Sequence, residues 1–378
     1  MDGRYYIPVN QPDLSGNEKK YLLQCIETGW ISAEGPFVRE FEEKFSRRIG
    51  RKFGVAVVNG SAALDIAVWA LRLPRGSEII MPSFTIISCA SAILRAGLVP
   101  VLVDADPITW NMDTMKIEQK ITSRTKAIMV VHIYGIPTKM DTVLSLAEKY
   151  GLRIIEDAAE MHGQTCDGKA CGSFGDISIF SFYPNKHITT GEGGMVVTDN
   201  SDLAEYCLSL RNLCFKPGRR FVHDELGFNY RMTNLQAALG VAQLERLDEF
   251  VQRKRKIGKF YNEQLSGLTE LELPPVNTTY SENIYWVYGI VLSDKVGFEA
   301  DEMIRRLANL GVGTRPFFWG MHEQPVFRRM GLFSGEQYPV TERIARRGLY
   351  LPSGLALGLE QQVYVVKAVK RALFSKDI

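Results

Sequence analysis

The segment Ser181-Phe-Tyr-Pro-Asn-Lys186-His187-Ile-Thr-Thr-Gly191-Glu-Gly193-Gly194 is polar and glycine-rich, yet it lies between two apolar runs, DISIFSF at 176–182 and GGMVVTD at 193–199. Loops between core strands are where binding and catalytic groups tend to stand. A lysine in such a loop can form a Schiff base if its surroundings lower its pKa; an isolated lysine is more often a solvated surface residue. Upstream, Ile-Ile-Glu156-Asp157-Ala-Ala-Glu160 ends an apolar run in acids. A carboxylate at the C-terminal tip of a parallel strand faces the usual ligand crevice, although the same pattern also serves as a helix cap. Further upstream, Asn59-Gly60-Ser61-Ala62 follows a strand-like run and opens a helical one. Gly60 permits a tight turn and Ser61 is a good cap. The free N–H groups of the first turn then offer a seat for phosphate.

Taken singly, each motif has an ordinary structural reading. Taken in order, they supply a phosphate anchor, an acid at a strand tip, a serine five residues before a lysine, and a glycine-rich turn. That is the parts list of a pyridoxal 5′-phosphate site, with Lys186 as the Schiff-base lysine and Asp157 as the partner of the pyridine nitrogen. Rival motifs are weaker. Gly163-Gln-Thr-Cys-Asp-Gly168-Lys169-Ala170 nearly spells a P-loop but lacks the Ser or Thr that holds magnesium, and it reads as a surface turn. No G-x-G-x-x-G occurs, so a nicotinamide-binding reading has no support. Neither the six cysteines nor the five histidines have metal-ligand spacing, and no metal is expected.

The elements that must position these residues are legible as short apolar runs alternating with helical stretches. Strands are expected at 54–58, 78–81, 99–104, 126–132 and 152–157, with helices at 61–73, to Ala96 and near 139–150. The runs are apolar throughout, as in strands buried on both faces, so the sequence predicts an α/β fold with a largely parallel sheet. Ser15 and Glu18 have the spacing of a capping box for a helix that closes at Gly29. Asn234 to Val251 reads as one amphipathic helix, and LPPVNTT at 273–279 as a linker. IYWVYGIVL, a helix at 299–310 and a final helix near 360–374 suggest a smaller α+β domain. The expected division is a large domain over 1–250, including an N-terminal loop segment, and a small domain over 251–378.

With 378 residues, 46% hydrophobic and 23% charged, the chain has the composition of a folded globular protein. Its formal net charge of +2 supplies no strong field for nucleic acid or membrane surfaces, and neither partner is expected. The N-terminal residues have no apolar signal core, so a cytoplasmic protein is expected.

Over essentially its whole length the chain resembles the DegT-type sugar aminotransferases, fold-type I pyridoxal phosphate enzymes that act on nucleotide-linked keto sugars. The resemblance is carried by Trp30-Ile-Ser-Ala-Glu34-Gly35, Asn59-Gly-Ser-Ala62, Glu156-Asp157-Ala-Ala, the Ser181–Gly194 loop, Gly227-Phe-Asn229-Tyr230-Arg231-Met-Thr-Asn234, and Thr314-Arg315-Pro316 with His322. It implies a homodimer with shared active sites, in which Lys186 holds the cofactor and moves protons while Asp157 keeps the pyridine nitrogen protonated. Gly60, Ser61, Ala62 and Ser181 would bind the phosphate, with Asn229 supplied by the neighbouring subunit, and Glu160 would lie near the ring hydroxyl. Trp30, Glu34, Arg315 and His322 are the expected substrate contacts. Ile86 stands where the family usually places an aromatic residue that stacks on the pyridine ring, and an aliphatic side chain lacks that π geometry.

The implied reaction is transamination of a nucleotide-linked 4-keto-6-deoxy sugar, with L-glutamate as donor and pyridoxamine 5′-phosphate as the amine-carrying form. Two rivals share the fold: a 3-dehydratase and a non-catalytic regulator. The dehydratase branch carries histidine where this chain has Lys186. A DNA-binding regulator would need a basic tract or an appended helix-turn-helix, and neither is apparent.

Overall fold

The computed structural model describes residues 6–216, 218, 219 and 221–375. In its larger part, strands β1 (Phe53–Val57), β2 (Glu78–Pro82), β3 (Val99–Val103), β4 (Thr125–Val131), β5 (Arg153–Asp157), β8 (Ile177–Ser181) and β9 (Gly194–Thr198) form one sheet in the order β1-β9-β8-β5-β4-β2-β3. Pairing is parallel from β3 through β2, β4 and β5 to β8, and β9 runs antiparallel to both its neighbours. The strands are almost wholly buried, as their unbroken apolar sequences predict. Helices α1 (Glu18–Thr28), α2 (Pro36–Ile49), α3 (Gly60–Ala70), α4 (Ile87–Arg95), α5 (Met140–Tyr150), α6 (Ser201–Arg211) and α7 (Asn234–Leu244) flank this sheet. Two apolar clusters divide between them the residues that alternate along the strands. Val55 and Val57 belong to one and Ala56 to the other, as sheet geometry requires.

Between β5 and β8, Thr165–Cys166 (β6) and Lys169–Ala170 (β7) pair as a two-residue hairpin. Asp167 and Gly168 turn it with φ of 49° and 77°, the mirror-image turn that Asp-Gly favours. The near-P-loop sequence is therefore a tight hairpin. The smaller part holds an antiparallel sheet in the order β10 (Leu271–Glu272), β11 (Tyr288–Leu292), β13 (Gly348–Leu351), β12 (Arg315–Pro316). It packs with α8 (Leu247–Leu265), α9 (Ala300–Asn309) and α12 (Leu359–Phe374) around a third apolar cluster, while α11 (Pro339–Arg347), preceded by the short α10 (Pro325–Arg329), sends Ile344 into the first cluster.

Two details differ from expectation. The first helix is not capped by Ser15: it starts at Glu18, and the Ser15 N–H and hydroxyl both turn back to Asp13 Oδ1, at 2.9 and 2.6 Å. Glu18 is buried instead and accepts from Gln243 Nε2 at 2.6 Å. The single helix expected over 234–251 is two, α7 and α8, broken at Glu245–Arg246. Arg246 leaves helical geometry to reach Asp13 Oδ1 and Ser15 Oγ, both at 3.1 Å, a tertiary pull that no local propensity encodes.

Candidate active site

Four chain segments reach the C-terminal edge of the parallel strands, where an open α/β sheet leaves a crevice. They enclose a cavity of about 450 Å³. The turn after β1 begins α3 at Gly60. Asn59 caps that helix, its Oδ1 accepting the Ala62 N–H at 2.8 Å. The first-turn N–H groups of Gly60 and Ser61 precede the helix's own hydrogen-bond ladder, and both residues line the cavity. Gly60 is needed for close approach: a Cβ there would lie 2.7 Å from Ser181 Cβ and 3.0 Å from its hydroxyl. The Ser61 and Ser181 hydroxyls thereby share one small cradle, and Ser88 Oγ joins it 2.8 Å from Ser61 Oγ.

Strand β5 delivers Asp157, which is 2% exposed. Its Oδ1 accepts the Ala159 N–H at 3.0 Å, and Cys89 Sγ donates to Oδ2 at 3.4 Å. Burial raises its pKa, with these two donors and the Lys186 charge pulling the other way. The preceding residue, Glu156, points to the opposite side of the strand. It accepts from His132 Nε2 at 3.0 Å, Phe174 N at 2.9 Å and Ser178 Oγ at 3.1 Å, and also from Gly172 N. His132 Nδ1 accepts the Thr138 N–H at 3.0 Å, so its proton sits on Nε2 and is donated to Glu156. Cys171 Sγ lies near these two groups. A structural network thus braces the strand that carries Asp157.

Lys186 stands in the loop after β8, its side chain 9% exposed. Its Nζ lies 3.9 Å from Glu160 Oε1 and 3.8 Å from the centroid of the Trp286 ring. Glu160 Oε2 accepts the Tyr134 N–H at 2.7 Å. Burial lowers the pKa of the Lys186 ammonium, opposed by Glu160 and Asp157, and burial pushes the Glu160 carboxyl up to about 8. Burial thus shifts Lys186 toward the neutral amine, the form that attacks a carbonyl. His187 is turned away from the cavity. It is fully buried, its Nε2–H bonds Ile284 O at 3.1 Å, and burial lowers its pKa to about 3, so it is neutral.

Of the residues expected from sequence, Gly60, Ser61, Ile86, Asp157, Glu160, Ser181 and Lys186 line this one cavity. Ala62 does not, and its N–H is taken by Asn59. Asn229 is exposed away from the cavity, with Oδ1 accepting from Arg231 Nε at 3.0 Å. Trp30 and Glu34 are likewise exposed and do not line it. Arg315 lies on the edge strand β12 opposite Tyr350, which does line the cavity. His322 is buried elsewhere, 3.0 Å from Glu342 Oε1 and edge-on to Tyr338. Sequence reading missed Thr85 and Ser88, which line the cavity, and Cys89, whose thiol reaches Asp157. It also missed the aromatic wall of Trp286, Phe318 and Tyr350, for which core-like sequence gave no signal.

These residues fit pyridoxal phosphate: a cradle closed by a glycine-dependent approach, a buried carboxylate aimed into the cavity, and a nearly buried amine between acids. Such a site at the strand ends of this α/β fold defines a pyridoxal phosphate-dependent transferase. The model of the DegT/DnrJ/EryC1/StrS aminotransferase family matches residues 12–370. The chain belongs to that family, and it is a pyridoxal phosphate-dependent sugar aminotransferase.

Among its relatives, a GDP-perosamine synthase of Escherichia coli O157:H7 is 40% identical over 364 residues, spanning 96% of this chain and 98% of that protein. A GDP-perosamine synthase of Caulobacter vibrioides is 41% identical over 367 residues, spanning 97% and 98%. The crystal structure of the aminotransferase TlmJ from Streptoalloteichus hindustanus superposes with a TM-score of 0.90 at 30% identity, covering 97% of this chain and 98% of that one.

Proposed function

We propose that this enzyme aminates C4 of GDP-4-keto-6-deoxymannose, with L-glutamate as donor, to give GDP-perosamine. The observation that carries the reading is the Lys186 amine, nearly buried beside Glu160 in a cavity that Asp157 and the serine cradle also line. The names of the two relatives at 40–41% identity support the choice of nucleotide and sugar. When bound, pyridoxal phosphate supplies an electron sink that carries the amino group from donor to ketone.

This chain's residues do the rest. Asp157, its geometry fixed by Ala159 N–H and Cys89, would keep the ring nitrogen protonated. Gly60 N–H, Ser61 and Ser181 would hold the phosphate, and Lys186 Nζ would take up and return a proton at the sugar carbon. Tyr183, Trp286, Phe318 and Tyr350 enclose the reacting centre with apolar surface and limit water.

The assembly in this reading is a homodimer, in which Asn229 of one copy completes the phosphate site of the other. Exposed Leu23, Ile26, Trp30 and Ile31 on and after α1 offer apolar surface for that contact. The enzyme acts in the cytoplasm and supplies an amino sugar for surface polysaccharide such as O-antigen. Among the described residues no helix is long and apolar enough to cross a membrane.

The test is to supply glutamate with a panel of GDP-, UDP- and dTDP-linked 4-keto-6-deoxy sugars and identify products by mass and NMR. Amino sugar with stoichiometric 2-oxoglutarate from the GDP substrate is expected. A 3-deoxy sugar with ammonia would instead mark a dehydratase.

A further inference from the structure

Lys254, on α8, is 2% exposed, and its Nζ donates to two backbone carbonyls, Trp286 O at 2.8 Å and Ser353 O at 2.6 Å. Among the described residues no carboxylate pairs with it. Burial alone pushes its pKa down to about 7. An ammonium held only by carbonyls is costly to bury, and an apolar residue of similar volume is often no worse for stability. The cation therefore calls for a reason beyond packing.

That reason lies in what the carbonyls belong to. Trp286 presents its ring face to Lys186 Nζ at 3.8 Å, and its Nε1–H donates to Asn185 O at 2.8 Å. The segment leading to it is sharply bent. Tyr285 has a φ of 49°, Ile284 N donates to Gly135 O at 3.2 Å, and Ile284 O accepts from His187. Gly135, at a φ of 112°, leaves no room for a Cβ, which would meet Asn283 Oδ1 at 2.4 Å and Tyr285 N at 2.6 Å. Trp286 is thus fixed at its indole N–H by the residue before Lys186, and at its backbone carbonyl by Lys254.

We propose that Lys254 is a positioning residue for the reactive lysine: by clamping the Trp286 and Ser353 carbonyls together it holds the Trp286 ring against Lys186 Nζ and sets the path along which that amine swings. The ring face attracts Lys186 Nζ when it is protonated, against the effect of burial, and in either state bars the side chain from the side it occupies. The reacting groups need near-attack geometry, so a small displacement of the ring alters both the rate and the chirality of the cofactor's surroundings. The inference rests on Lys186 being the residue that carries the cofactor.

The experiment is a double-mutant cycle of Lys254→Met and Trp286→Leu in the holoenzyme. The readouts are the induced circular dichroism of the bound cofactor's visible band and the single-turnover rate with glutamate. Urea midpoints are recorded alongside to separate stability. Lys254→Met is expected to change the dichroism and slow the half-reaction about 10-fold, in line with a misplaced contact. In the Trp286→Leu background the same change is expected to cost less than about twofold. Lys254→Arg, which keeps a donor for each carbonyl, should restore most of the dichroism. If Lys254→Met does not give soluble protein, Lys254→Gln takes its place in the cycle with the same expected dependence on Trp286. Effects that multiply across the cycle, or an unchanged dichroism in the single variant, overturn the proposal. Peptide mapping of the borohydride-reduced wild type separates the two failures. An adduct on Lys186 with multiplicative effects sinks only the Lys254 coupling, and an adduct elsewhere sinks the underlying assignment.

Discussion

Replacing Glu156 by glutamine changes one oxygen to an amide and nothing in shape, yet the structure gives it a definite cost. All partners of the Glu156 carboxylate are donors: His132 Nε2–H and Gly172 N–H on one oxygen, Phe174 N–H and the Ser178 hydroxyl on the other. Whichever way the glutamine faces, its NH₂ meets at least one N–H that cannot reverse. The less costly orientation puts the NH₂ toward Phe174 and Ser178, because the hydroxyl can turn and accept. Phe174 N–H is then orphaned, at about 1–3 kcal/mol, and the remaining bonds lose the strength that a charged acceptor gives. A loss of about 2–4 kcal/mol follows for the apoprotein at pH 7, read as a shift in urea midpoint at unchanged m.

The pH dependence has a definite sign. Burial opposes ionisation, but His132 and the Gly172 and Phe174 N–H groups outweigh it and hold the Glu156 pKa below its ordinary 4.5. A carboxylate with a depressed folded pKa contributes stability that is fully present above the unfolded value and lost as pH falls through the folded one. Glutamine does not titrate there, so the gap between wild type and variant should narrow as pH drops below about 4.5. A variant within about 0.5 kcal/mol of wild type at pH 7, or a gap that widens in acid, would refute the network as drawn.

Further outcomes test the site itself. Gly60→Ala should leave the fold intact but drive a Cβ into Ser181, weakening cofactor retention by about 10-fold or more in equilibrium dialysis. Asp157→Asn should keep the apoprotein as stable as wild type or more so, because burial already disfavours this carboxylate, while kcat drops by about 10²–10³. Near-normal turnover would remove Asp157 from the mechanism. Mixing inactive Lys186→Ala with inactive Asn229→Asp chains should restore partial activity as hybrid dimers form, and a fully active monomer in ultracentrifugation would rule out shared sites.

The residues that converge on the cavity were legible where chemistry shows in local sequence. A glycine-serine turn after a strand, an acid at a strand tip and a lysine amid glycines all carry their signal within a few residues. The α/β alternation was legible for the same reason, since strands buried on both faces are apolar throughout. What escaped depended on distant partners. Trp286 looks like a core residue in IYWVYGIVL, and only folding lays it on Lys186. Lys254 sits among Arg253, Arg255 and Lys256 in an evidently solvated run, and its burial is set by the carbonyls of Trp286 and Ser353. The break between α7 and α8 has no glycine or proline to announce it, because Asp13, far away in sequence, draws Arg246 out of the helix. Arg315 and His322 came from a motif in which position along the chain does not fix direction. One ends on an edge strand and the other against Glu342.

The most direct test of the account is to reduce the cofactor-loaded protein with borohydride, which fixes the cofactor covalently to whichever amine holds it, and to map the labelled peptide by mass spectrometry. A single adduct on Lys186 is expected, with the visible band bleached in proportion and no adduct in Lys186→Ala. An adduct on Lys169 or Lys139, or a label that persists in Lys186→Ala, would contradict it.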